Sequence, residues 1–251
     1  MKTYAIYNIK GGVGKTTISV NLAFLSALDG KRTLIWDLDP QGGTSYYLNV
    51  RPKIKGGVDK FVRTKSDIEN LLRMTGYPNL DILPSDISYR RMDHLIRKTA
   101  DKKPIRMLET RVKPLRKNYD HLILDCPPDL SMVAENVFRM ADVLVVPLIP
   151  TTLSLRAYNR LVRFLVKNKI NKSLRVLPFF NQVNENKPIH RVVTRNVRDK
   201  HPIFLNTAVP ESNVIEAMGV KRAPVFSYAR ESAESNTLKD LWQEIKERSK
   251  D

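Results

Sequence analysis

Lys10-Gly11-Gly12-Val13-Gly14-Lys15-Thr16-Thr17 is the stretch on which the reading of this chain turns. It follows a short apolar run, Tyr4-Ala5-Ile6-Tyr7, and leads into a helical pattern of Ile18, Val20, Leu22, Ala23 and Leu25. Strand, glycine loop and helix in that order are the context of a phosphate-binding loop. Glycines let the backbone curl until successive N–H groups converge on an anion. The helix behind the loop aims its positive end at the same point. Lys15 would reach the β- and γ-phosphates, and the Thr16 hydroxyl would hold Mg²⁺. The general pattern, G-x-x-x-x-G-K-[ST], asks for glycine where this chain has Ile9, and Lys10 stands next to it. A plain Gly/Lys turn is the bland reading, and the flanking strand and helix argue against it.

Working outward, the run Thr33-Leu34-Ile35-Trp36-Asp37 ends in carboxylates at Asp37 and Asp39, and Leu122-Ile123-Leu124-Asp125 ends in another. Acidic residues at the carboxyl ends of parallel strands lie beside the ligand crevice. Each alone reads equally well as a turn or capping residue. Together with the loop they read as Mg²⁺ and phosphoryl chemistry.

Three further stretches join the two-lysine loop: Asp37-Leu38-Asp39-Pro40-Gln41-Gly42, Leu124-Asp125-Cys126-Pro127-Pro128 and Arg222-Ala223-Pro224. In this order they resemble the ParA/MinD group of ATPases, whose phosphate loop deviates from the general pattern. The segment from Arg51 to Lys117 carries little of that signal. The resemblance implies an ATPase that binds ATP with Mg²⁺ through Gly11, Gly12, Val13, Gly14, Lys15, Thr16 and Thr17. It implies that Lys10 crosses a homodimer interface to the partner's nucleotide and that Asp39 directs the attacking water. Asp37 and Asp125 would support the metal with Thr16, and Pro40 to Ser45 would form a switch loop. Asn181 would read adenine beside Val209-Pro210. The helix after Pro150 would lie beside the dimer interface.

Lys plus Arg number 43 against 26 Asp plus Glu, a formal net charge of +17. Such an excess repels itself unless an anionic partner offsets it, and nucleic acid is the usual partner. Arg191, Arg195 and Arg198 are spaced to share one face of a helix predicted over 188–200. Lys221, Arg222 and Arg230 add charge nearer the C-terminus. These six residues are the expected contacts to double-stranded DNA, made without sequence preference. A ParB-like or adaptor protein is the expected stimulator of hydrolysis. The P-loop begins at residue 10, so a short form without an N-terminal DNA-reading domain is expected.

Alternating apolar runs and helical patterns predict one α/β domain over residues 1–251, with a mostly parallel twisted sheet flanked by helices. Predicted strands cover 3–7, 32–37, 80–83, 121–125, 143–148, 174–180 and 203–205. A capped short helix is predicted over 66–72 from Ser66 and Glu69. Amphipathic helices are predicted over 87–98 and 107–115, the latter kinked at Pro114. One cysteine excludes an intramolecular disulfide framework, and Cys126 reads as a small core residue. No run reaches the roughly 20 apolar residues of a membrane span. A cytoplasmic, nucleoid-associated protein is expected.

Two other readings compete. The last segment places Leu238, Leu241, Trp242 and Ile245 at helical spacing, which would suit a MinD-like membrane-surface helix or packing on the sheet. Its mixed-charge ending disfavours a lipid surface. The other reading is a metabolic ATP-dependent enzyme on the same fold. A single cysteine speaks against a metal cluster there, and the charge has no metabolic reason.

Overall fold

The computed structural model describes residues 1–63, 68–98, 104–170 and 173–250. The apolar runs become strands β1 (Lys2–Ile6), β2 (Thr33–Asp37), β4 (Leu80–Leu83), β5 (His121–Asp125), β6 (Val143–Leu148) and β7 (Arg175–Phe180). With the two-residue β3 (Arg73–Met74) they form a seven-stranded sheet ordered β3-β4-β2-β5-β1-β6-β7. Only β3 runs antiparallel, at the edge beside β4. Both of its residues are exposed, so no buried alternation announces it in the sequence.

Along each strand, successive side chains enter two different cores, as pleating requires. Tyr4, Ile6, Ile35, Ile123, Val145 and Phe179 face one layer. Ala5, Tyr7, Trp36, Leu124, Val146 and Phe180 face the other. Helix α1 (Lys15–Leu28) covers the first layer through Ile18, Leu22 and Leu25. Gly30 at φ 78 ends it in the left-handed conformation that favours glycine. The second layer is closed partly by the helix Met132–Met140 through Val133, Val137 and Phe138. That helix has Ser131 as its cap, and Asp93 accepts from the Met132 and Val133 amides. Just ahead of the cap, the Asp129 carbonyl accepts from the Tyr7 hydroxyl.

The C-terminal helix Ala233–Arg248 lies on the first layer. Leu238, Leu241, Trp242 and Ile245 are buried there, and Trp242 Nε1 donates to Asp29 Oδ2 at 2.9 Å. Burying each such side chain stabilises the fold by about 1.5–3 kcal/mol. The apolar stripe is therefore committed to the sheet rather than to a lipid surface. Among the described residues, no helix is long and apolar enough to cross a membrane.

The expected strand over 203–205 does not form. Phe204 N bonds His201 O in a turn after Pro202, and Leu205 N reaches Pro178 O. Phe204 and Leu205 fill the core from a loop, while Ile203 is exposed. Three apolar residues behind a proline are too few to fix a strand against that packing. The helix expected over 87–98 divides into a 3₁₀ stretch, Ile87–Arg91, capped by Asp86, and an α-helix, Met92–Lys98. Likewise the helix Met107–Val112 gives way to a 3₁₀ stretch, Lys113–Lys117, at Pro114. The expected Ser66 cap lies outside the described residues; a 3₁₀ turn spans Ile68–Leu71. Cys126 is buried, and burial pushes its thiol pKa up.

Since β1, β2, β5 and β6 are parallel, their carboxyl ends share one edge. The glycine loop, the segment after Asp37 and the segment after Asp125 all emerge there.

Candidate functional site: a phosphate loop beside two buried carboxylates

The loop is held by side-chain amides on both sides. Buried Asn8 donates through Nδ2 to Pro147 O at 2.8 Å and accepts from Lys10 N at 2.9 Å through Oδ1. Asn181 Nδ2 donates to Val13 O at 2.8 Å, and Gln182 Nε2 to Gly12 O at 3.2 Å. Gly12 and Gly14 have φ of 73 and 84, a region that residues with a Cβ avoid. Helix α1 then begins at Lys15 with no side-chain cap, leaving its first N–H groups for a ligand. Lys15 is buried, and its Nζ donates to Lys10 O at 3.3 Å. Burial lowers its pKa, and the Asp125 charge opposes that shift. Lys10 is half-buried, with Nζ 3.5 Å from Ser154 Oγ at the start of the helix Thr152–Lys167. Within one subunit Lys10 thus rests against that helix.

Asp37 and Asp125 sit side by side in register on β2 and β5, both buried. Asp37 Oδ2 accepts from Ser45 N at 2.8 Å and Ser45 Oγ at 2.7 Å. Asp125 accepts from Thr44 Oγ1 at 2.8 Å and Ser19 Oγ at 3.1 Å. Burial raises both carboxyl pKa values, and the Asp125 charge adds to the effect on Asp37. The second oxygen of Asp37 is buried with no partner. An oxygen-rich pocket with an orphaned carboxylate oxygen fits a hard divalent cation. Among the described residues, no cluster of three His, Cys, Asp or Glu forms a protein-only metal cage, and magnesium seldom uses one.

Asp39 differs from Asp37. It is half-buried, and its carboxylate accepts from Gln41 N at 2.9 Å. It lines one recess with Gly12, Lys15, Thr16 and Pro128. The following short helix α2 (Gly43–Tyr47) supplies Thr44 and Ser45 to the carboxylates. A Cβ on Gly43 would come 3.0 Å from Thr16 Cγ2, so this segment abuts the phosphate loop. The predicted switch segment is therefore wired to both buried carboxylates.

A second recess, lined by Gly14, Thr17, Tyr47, Asn181, Gln182 and Pro210, adjoins the first and shares Gly14, Thr17 and Gln182 with it. Pro210 is placed by a parallel bridge to Val183. Asn181 and Pro210 both line this recess, and the Asn181 amide gives one Nδ2 hydrogen to Val13 O.

The six candidate DNA residues do not behave alike. Arg191 and Arg195 are exposed on the helix Pro188–Lys200. Arg198 differs from them: it is half-buried, its Nε and Nη2 are buried without a partner, and burial lowers its pKa. It stands nearest the buried stripe of His190, Val193 and Val197, with the Glu244 charge nearby. Lys221 and Arg230 are exposed. Arg222, at φ 50, donates through Nε to Tyr46 O at 3.2 Å and stacks 4.6 Å over the Tyr46 ring. Arg222 is therefore tied to the end of α2.

A mostly parallel sheet with a glycine loop, an uncapped helix start and paired strand-end carboxylates defines a P-loop NTPase of the two-lysine type. The AAA domain family model matches residues 1–176. The sporulation initiation inhibitor protein Soj of Bacillus subtilis is 29% identical over 252 residues, covering 97% of this chain and 98% of its own length. The chromosome partitioning protein ParA of Caulobacter vibrioides is 29% identical over 262 residues, covering 100% and 96%. Among solved structures, cobyrinic acid a,c-diamide synthase from Mycobacterium smegmatis, with bound ATP analog and magnesium, matches with a TM-score of 0.81. It is 24% identical and covers 97% of this chain and 93% of that one. The chain belongs to the ParA/MinD family of P-loop ATPases.

Proposed function

We propose that this chain is a partition or positioning ATPase that binds DNA backbone without sequence preference when it holds ATP, and releases it after hydrolysis. The observation that carries the reading is the two-lysine loop set beside buried Asp37 and Asp125, with Asp39 at the rim, in a chain of net charge +17. A diamide synthase shares the fold, and fold alone does not choose function. The basic excess separates the readings, since partition acts on a polyanion and small-molecule synthesis does not.

The triphosphate would lie along the amides of residues 11–17, with Lys15 on the β- and γ-phosphates. Bound Mg²⁺ would offset the charge on the phosphate oxygens, held by the Thr16 hydroxyl with Asp37 and Asp125 behind it. Asp39 borders the recess and carries no buried hydrogen-bond network, so it is free to orient the attacking water. Two subunits would sandwich two nucleotides, and Lys10 would leave Ser154 to reach the partner's phosphates. Loss of γ-phosphate would be felt first through Thr44 and Ser45. A ParB-like or adaptor protein would stimulate hydrolysis, and the cargo is a plasmid, a chromosome or a protein assembly.

The test is binding to random-sequence duplex DNA at several salt concentrations, with no nucleotide, with ADP, and with ATP plus Mg²⁺. Binding confined to the ATP state, weakening steeply with salt, is expected. Equal binding in all three states would break the link between nucleotide and DNA. Binding in none would remove the DNA role.

A further inference from the structure

We propose that Asn181 and Gln182 are positioning residues of the phosphate loop, a two-amide clamp that sets the direction of its peptide planes before nucleotide arrives. On this assignment Asn181 shapes the triphosphate site through the loop backbone. The inference rests on the reading of residues 10–17 as that site.

Consecutive residues of a strand point to opposite faces, so neighbours 181 and 182 would not ordinarily serve one target. The chain leaves β7 at Phe180, and Gln182 takes up φ 54, a left-handed conformation disfavoured for a residue with a Cβ. That turn brings both amides to successive carbonyls of one loop, Val13 O and Gly12 O. In a trans peptide the C=O of one residue and the N–H of the next point opposite ways. Holding the Gly12 and Val13 carbonyls toward the clamp turns the Val13 and Gly14 N–H groups away from it, the polarity a phosphate nest needs.

The clamp is itself anchored. Asn181 N donates to Leu148 O at 2.8 Å, at the end of β6, one residue from the Pro147 carbonyl that receives Asn8. Asn181 is 3% exposed. A Cβ at position 14 would come 2.3 Å from its Nδ2. Gly14 therefore leaves room for the clamp as well as supplying the loop's turn.

Asn181→Asp preserves size, removes the donor and sets a carboxylate against the Val13 carbonyl. The full chain is compared with wild type in two measurements. Hydrogen exchange without nucleotide should speed by about tenfold at residues 11–15, with the helix 233–248 unchanged. Affinities for ATP, GTP and inorganic tripolyphosphate, by competition with a labelled ATP analogue, should all fall, each by about tenfold or more. Gln182→Ala, whose amide lies at the surface, should show the same pattern at a few-fold and carries the test if Asn181→Asp folds poorly. Unchanged exchange over 11–15, or a loss seen for ATP and absent for tripolyphosphate, would overturn the clamp. Lys15→Ala separates the two readings: wild-type ATP affinity in that variant sinks the phosphate site itself. Lost binding there, with unchanged exchange in Asn181→Asp, sinks only the clamp.

Discussion

The phosphate edge and the basic surface are built in opposite ways. Behind the phosphate edge stands a set of buried polar side chains with fixed partners: Asp37 to Ser45, Asp125 to Thr44 and Ser19, Asn8 to Pro147, Asn181 to Val13. On the basic surface Arg191, Arg195, Lys221 and Arg230 stand in solvent. A preorganised cradle aims dipoles at one small anion and tolerates little displacement. A charged surface adds many weak, screened contacts and tolerates much. Single substitutions should therefore be severe at the first and graded at the second.

The largest effect should come from Lys15→Ala, which removes the buried cation of the cradle. ATP affinity should fall by at least about a hundredfold, read by titration with a fluorescent nucleotide. Retained affinity would erase the contrast at its strong end. Asp39→Ala should keep nucleotide binding and cut hydrolysis by about a hundredfold, leaving an ATP-bound dimer visible by light scattering. Normal turnover would take Asp39 out of the mechanism.

On the basic surface, Arg191→Glu with Arg195→Glu should weaken DNA binding by about tenfold at low salt and lower the salt slope by about two, with ATP affinity unchanged. Arg198→Glu sharpens the distinction, because its guanidinium is partly buried. It should lower the melting temperature more than it alters the salt slope.

The smallest effect separates the two ends of β5, where Asp125 belongs to the site and His121 to the fold. His121 bonds Ser26 Oγ at 2.8 Å and packs against Tyr4 and Trp242. Burial, with help from Lys31, pulls its pKa from 6.5 to about 4. The unfolded chain then binds more protons between those values, so stability is full above pH 6.5 and declines as pH falls toward 4. His121→Gln should flatten that part of a denaturation-midpoint series. An unchanged slope would assign the acid loss to other groups.

How much of this was legible in the sequence follows the same divide. The glycine loop, Asp39 and Asp125 could be read because backbone curvature and strand ends leave a mark in residue order. Asn8, Ser19 and Gln182 could not, nor could the bonds of Thr44 and Ser45 to the buried carboxylates. A lone polar residue has no period, and its role depends on which carbonyl or carboxylate the fold brings near. The half-burial of Arg198 was illegible for a related reason. Helical spacing groups it with Arg191 and Arg195, but spacing does not say how far the buried stripe extends.

By itself, the sequence determined the alternation of strand and helix, the phosphate loop and the charge, since these rest on local backbone preference and on sums over residues. Tertiary structure alone decided the rest. It buried the C-terminal apolar stripe on the sheet, drew Arg222 onto Tyr46 and turned the Asn181 amide onto the loop. In each case the deciding partner lies far away along the chain, and only packing selects it.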